Sequence, residues 1–152
     1  MQMQDKQFFR YVNFPSIPES LIKNLNWNLS EYSRKAQSKI PNEFLWSDDH
    51  NHELNHWCQQ NICASMYFAF QLIFKDLPLH KDVGTLCKLN YILESGGKNV
   101  VNEWYDEDQK TLLQSSTIQP MQWHIFKADT YHTVKNIDPG KIRFAITARV
   151  FP

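Results

Sequence analysis

Glycine is scarce: four residues in 152, so few positions offer the backbone freedom that tight turns with positive φ require. Cysteine is scarce as well. Cys58, Cys63 and Cys87 form an odd set without metal-finger spacing, which argues against a disulfide framework or structural zinc and for free thiols packed as small apolar groups. Charge of neither sign dominates. Sixteen basic residues balance sixteen acidic ones, so no overall field recruits nucleic acid or an anionic membrane. Arg34, Lys35 and Lys39 are too few for a nucleic-acid patch. No run approaches the ~20 apolar residues of a membrane span, and the opening MQMQDKQFFRYV lacks the charged-then-apolar layout of a secretory signal. The expected compartment is the cytoplasm. No repeat, low-complexity tract or linker interrupts the chain.

What is present is material for a core. With 42% hydrophobic and 14% aromatic residues, 1–152 reads as a single domain. Within it, 1–64 supplies an N-terminal strand and supporting helices, and 65–152 reads as β. Residues 8–14 suit a short strand, and Ser16-Ile-Pro-Glu19 has a capping-box pattern that opens a helix to about Leu25. A polar segment follows to Ile40. Ser47, Asp48 and Asp49 are plausible caps for a helix ending near Asn61. Beyond Ser65, Met66, Phe68, Phe70, Leu72 and Phe74 share one parity, so a strand there carries a large apolar face. Further strands are expected at 85–94, 98–105, 111–118, 123–126, 132–137 and 142–151. Closely spaced strands without intervening helices favour antiparallel pairing, in a sandwich or jelly roll with helices against one face.

Four polar residues stand out on that framework. His80 and Asp82 are two apart, so in extended chain both side chains leave on the same side. His132 can join them only if the sheet rolls back on itself, as in a jelly roll. Two imidazoles and a carboxylate form the facial ligand set that leaves half of an iron(II) coordination sphere open. Arg143 adds a planar fork suited to a cosubstrate carboxylate. On the last strand Arg143, Ala145 and Thr147 share one face, and Ile142, Phe144 and Ile146 the other: a lined interior against a packed exterior.

His80-x-Asp82, followed by His132-Thr-Val-Lys-Asn-Ile-Asp-Pro-Gly140-Lys-Ile-Arg143-Phe-Ala-Ile-Thr147, resembles the iron(II)/2-oxoglutarate-dependent dioxygenases, in the branch that includes prolyl hydroxylases. The resemblance covers roughly residues 65–152. It implies a double-stranded β-helix, a cupin-like jelly roll, with Fe(II) held by His80, Asp82 and His132. It further implies that Arg143 binds the 5-carboxylate of 2-oxoglutarate. The implied activity is oxidative decarboxylation of 2-oxoglutarate coupled to hydroxylation of a prime substrate that the sequence does not name. Ala145 stands where some family members carry a second hydroxyl, leaving Thr147 as the nearby one. Asn90, Thr147 and Lys88 are candidate cosubstrate helpers, and Trp104, Trp123 and Tyr131 candidate pocket walls. The chain is short for the family, so a small or extended substrate, or a homo-oligomer that completes the pocket, is expected.

Two other readings compete. One is a cupin-like β-barrel that binds metal or a small molecule without oxygenase turnover. The other is a zinc metalloprotease, because His52-Glu53-Leu54-Asn55-His56 fits the His-Glu-x-x-His pattern. Its surroundings are polar on several sides, which favours a solvated helix start. His124 reads as a core or edge histidine.

Overall fold

The computed structural model describes residues 7–23, 25 and 51–150, together with the backbone of 36–40 and 44–47. Among the described residues, ten strands and two helices run in the order β1 (Phe9–Tyr11), α1 (Glu19–Lys23), β2 (Ala36–Ile40), β3 (Phe44–Ser47), α2 (His52–Asn61), β4 (Ala69–Ile73), β5 (Cys87–Ser95), β6 (Val101–Tyr105), β7 (Leu112–Ser116), β8 (Trp123–Lys127), β9 (Tyr131–Lys135) and β10 (Arg143–Val150). All pairings are antiparallel. The large sheet has the order β1-β8-β5-β10-β4-β3-β2 and the small one β7-β6-β9.

A single bridge between His80 and His132 extends the small sheet beyond β9. Counting from β4, with the His80 segment second, the large sheet carries segments one, eight, three and six. The small sheet carries two, seven, four and five. That alternation is two Greek keys rolled together, the jelly roll expected from the sequence.

The N-terminal part departs from expectation. β2 and β3 form a hairpin that pairs with β4 and widens the large sheet, where the sequence suggested only a polar segment and a helix cap. Asp48 and Asp49 lie outside the described residues. The cap of α2 is Asn51, whose side chain accepts a hydrogen bond from the Leu54 N–H at 3.0 Å. No helix among the described residues is long and apolar enough to cross a membrane.

Strand alternation divides the core. Phe70, Leu72, Leu89, Tyr91, Phe144 and Ile146 leave the large sheet on its outer face and pack beneath Ile17, Leu25, Leu54 and Cys58. Each fully buried side chain of this size stabilises the fold by about 1.5–3 kcal/mol. The opposite face points into the barrel. There Ile92, Trp104, Phe126 and Ala145 close one part of the interior, with Phe8 and Phe9 against Trp104. The rest of the interior is open, as a cavity of about 700 Å³.

Candidate metal centre

His80, Asp82 and His132 converge at the small-sheet wall of that cavity. The backbone brings them there. His80 N–H donates to His132 O at 3.1 Å and His132 N–H to His80 O at 2.8 Å, so the two histidines sit opposite one another. Asp82 N–H donates to Ala128 O at 2.8 Å, which fixes the triplet across two strands. Each imidazole is then oriented from behind. His80 Nδ1 donates to Pro78 O and His132 Nδ1 to Thr130 O, both at 2.7 Å, because a carbonyl can only accept. Those bonds fix the tautomer and leave both Nε2 lone pairs facing the site.

Asp82 Oδ1 lies 3.7 Å from His80 Nε2 and 3.9 Å from His132 Nε2. Both distances are under twice a metal–ligand bond of about 2.1 Å. The three ligand atoms lie within 4.8 Å of one another and could hold a metal ion; no other group of three such ligands occurs among the described residues. The other carboxylate oxygen is taken. Lys88 Nζ, on β5, reaches Asp82 Oδ2 at 2.6 Å, so one oxygen of the carboxylate faces the imidazoles and the other a lysine.

The electrostatics suit ligation. Burial, reinforced by the charge of His80, pushes the His132 pKa down to about 4, so the imidazole is neutral at physiological pH. Burial opposes ionisation of Asp82, but the charge and hydrogen bond of Lys88, then His132 and His80, outweigh it and hold the carboxyl below its ordinary range. Neutral nitrogen and ionised oxygen donors need no proton removal before a metal binds. Two nitrogens and one oxygen on one wall of an open cavity fit a divalent metal such as iron(II).

Behind the triad the cavity is lined by Arg143, Asn90, Asn102 and Thr147. Arg143 is 5% exposed and has no ion-pair or hydrogen-bond partner among the described residues. Burial lowers its pKa to about 10. The Asn90 Oδ1, Asn102 Oδ1 and Thr147 Oγ1 atoms are buried without hydrogen-bond partners among the described residues. Buried polar atoms are ordinarily satisfied, so this cluster is built for a polar occupant. His124 also lies on this face; burial, then the charge of Arg143, pushes its pKa down to about 3, a neutral core histidine as expected.

Several expectations are corrected. Lys88, a candidate cosubstrate helper, lines the cavity and is paired with the Asp82 carboxylate. Trp123 belongs to the outer core and donates to Pro15 O, Trp104 fills the closed part of the barrel and donates to Lys127 O, and neither they nor Tyr131 line the cavity. Asn102 was missed; its signal was a polar residue sharing strand parity with Trp104 in β6. His52, Glu53 and His56 are all exposed on α2, and no third metal ligand joins them among the described residues.

No protein-family model matches the chain, and no curated protein matches it in sequence. Solved structures similar to it include hydroxypropylphosphonic acid epoxidase from S. wedmorenis (8% identity, TM-score 0.46, 76% of this chain) and the coconut allergen cocosin (11%, 0.48, 86%). A cupin-2 domain containing protein from Shewanella frigidimarina is a third (11%, 0.41, 86%). The chain spans 54% of the epoxidase, 33% of cocosin and 98% of the cupin-2 protein. The jelly-roll assignment itself rests on the strand order and pairing described above.

Proposed function

We propose that this protein is an Fe(II)/2-oxoglutarate-dependent oxygenase that hydroxylates a prime substrate held in the same cavity. One observation carries the reading: a buried arginine without a counter-charge shares a cavity with a two-histidine, one-carboxylate site. A buried cation without a counter-charge is unfavourable, and a dicarboxylate cosubstrate would supply the missing anion.

His80, Asp82 and His132 would hold the iron, with Lys88 keeping Asp82 turned so that Oδ1 alone is offered. Arg143 would grip the remote carboxylate of 2-oxoglutarate through its fork. The Thr147 hydroxyl can donate to the same group, and rotation of the Asn90 amide presents either its oxygen or its NH₂ to the cavity. Phe126, Ile73 and Val134 line the cavity with apolar surface that limits water at the reacting end. The bound iron supplies the chemistry that couples loss of CO₂ from 2-oxoglutarate, giving succinate, to insertion of oxygen into a substrate C–H bond.

Anaerobic addition of Fe(II) and 2-oxoglutarate tests this directly. A weak visible charge-transfer band is expected in the wild type, absent in His80→Ala and weakened in Arg143→Ala. Metal binding without any such band at saturating ketoacid would favour the alternative, a jelly roll that binds metal or a small molecule without this turnover. Metal lost on His52→Ala and kept on His132→Ala would instead revive the protease reading.

A further inference from the structure

β10 places a second arginine on the cavity. Arg143, Ala145, Thr147 and Arg149 share one face of the strand, and Arg143, Thr147 and Arg149 all border the cavity. The two arginines differ in setting: Arg143 is buried and Arg149 exposed. Six residues of extended chain separate their backbones by about 20 Å, which puts the two guanidiniums at different depths of the cavity wall.

The other cations around the cavity are engaged. Lys88, directly opposite Arg149 in the β5–β10 register, is held by Asp82 at 2.6 Å. Lys81 pairs with Glu107 at 3.2 Å and lies over the Tyr131 ring. Arg149 alone among the rim cations has no partner among the described residues. The cavity lining also includes two exposed side chains with apolar surface: Val83, 95% exposed, and Tyr67, 47% exposed. Further in, the lining turns apolar at Ile73, Phe126 and Val134.

We infer that the cavity accepts a small amphipathic acid, its oxyanion head held by Arg149 at the rim and its apolar body passing Val83 and Tyr67 toward the metal centre. That this acid is the molecule oxidised rests on the oxygenase reading; that it binds does not. A guanidinium favours carboxylate or phosphate through paired hydrogen bonds, and the apolar walls favour an alkyl or aryl body over a sugar or peptide.

The test uses three matched probes, hexanoate, hexyl phosphate and the neutral hexanamide, titrated into the full-length zinc-loaded protein with and without 2-oxoglutarate. Calorimetry gives affinities and ¹⁵N–¹H spectra locate the site. At least one acid should bind about tenfold tighter than hexanamide and shift the Val83 and Arg149 amides. Arg149→Gln should abolish the preference and Arg149→Lys retain part of it, and the acid that binds tighter identifies the head group. Equal binding of hexanamide, no saturable binding of either acid, a preference that survives Arg149→Gln, or one that depends on Arg143 instead would overturn the inference. Failure of the oxygenase reading would show separately, as a missing charge-transfer band, with these titrations unaffected.

Discussion

The two faces of the large sheet are made from alternate residues of the same strands, yet they are chemically opposite. On β10, Phe144 and Ile146 are buried among aromatic and aliphatic side chains, Phe70 lying 5.3 Å from Phe144 between ring centroids. Arg143 and Thr147, one residue away, are also buried, but their polar side-chain groups lack partners among the described residues. Burial therefore has opposite meaning on the two faces. On the outside it is hydrophobic stabilisation; on the inside it is desolvation of polar groups that folding alone does not satisfy.

The largest effect should come from the outer face. Phe144→Ala, at a site with 0% exposure, is expected to cost about 3–5 kcal/mol in chemical denaturation, with metal affinity of the folded fraction retained. A loss below about 1 kcal/mol would mean that the outer layer is not the main source of stability.

Next comes pH. His124 and His132 have folded-state pKa values of about 3 and about 4 against an ordinary 6.5, so the unfolded chain takes up protons first as pH falls. Their contribution is complete above pH 6.5 and is lost progressively as pH falls toward the folded values. For metal-free protein the expected loss is about 2 kcal/mol per histidine between pH 7 and 5. His124→Gln should flatten that decline by about half. An unchanged slope would show that His124 titrates in the folded state as it does in water.

The smallest effect separates the faces most sharply. Arg143→Met should leave metal-free stability unchanged or raise it by about 1 kcal/mol, because it removes a buried charge without a partner. A loss above about 2 kcal/mol in thermal or urea unfolding would make Arg143 a structural residue.

Much of this was legible in the sequence because period-two alternation survives wherever one face is apolar. The Arg143, Ala145, Thr147 row and the same-side placement of His80 and Asp82 follow from that period alone, and the jelly roll follows from bringing His132 to them. The β2–β3 hairpin was not legible. Ala36-Gln-Ser-Lys-Ile40 carries no apolar alternation, and its strand state comes from pairing with neighbours, which local propensity does not encode. Lys88 was legible as a candidate residue near the site but neither its facing nor its pairing with Asp82 was, since that contact depends on how the 82–87 segment turns. Asn102 was hidden by its setting, between valines and a tryptophan that suggested only core.

The reciprocal bond between His80 and His132 has a kinetic consequence. The two candidate ligands are 52 positions apart, and they meet only where the second segment of the roll is laid against the seventh. Such long-range pairing is slow to form, because the intervening loop must be ordered first. Local strands and helices can form without placing His80 against His132, so the onset of tight cobalt or zinc binding in a refolding chain is expected to report that this pairing has closed. The candidate metal centre is thus a clock for one long-range event of folding.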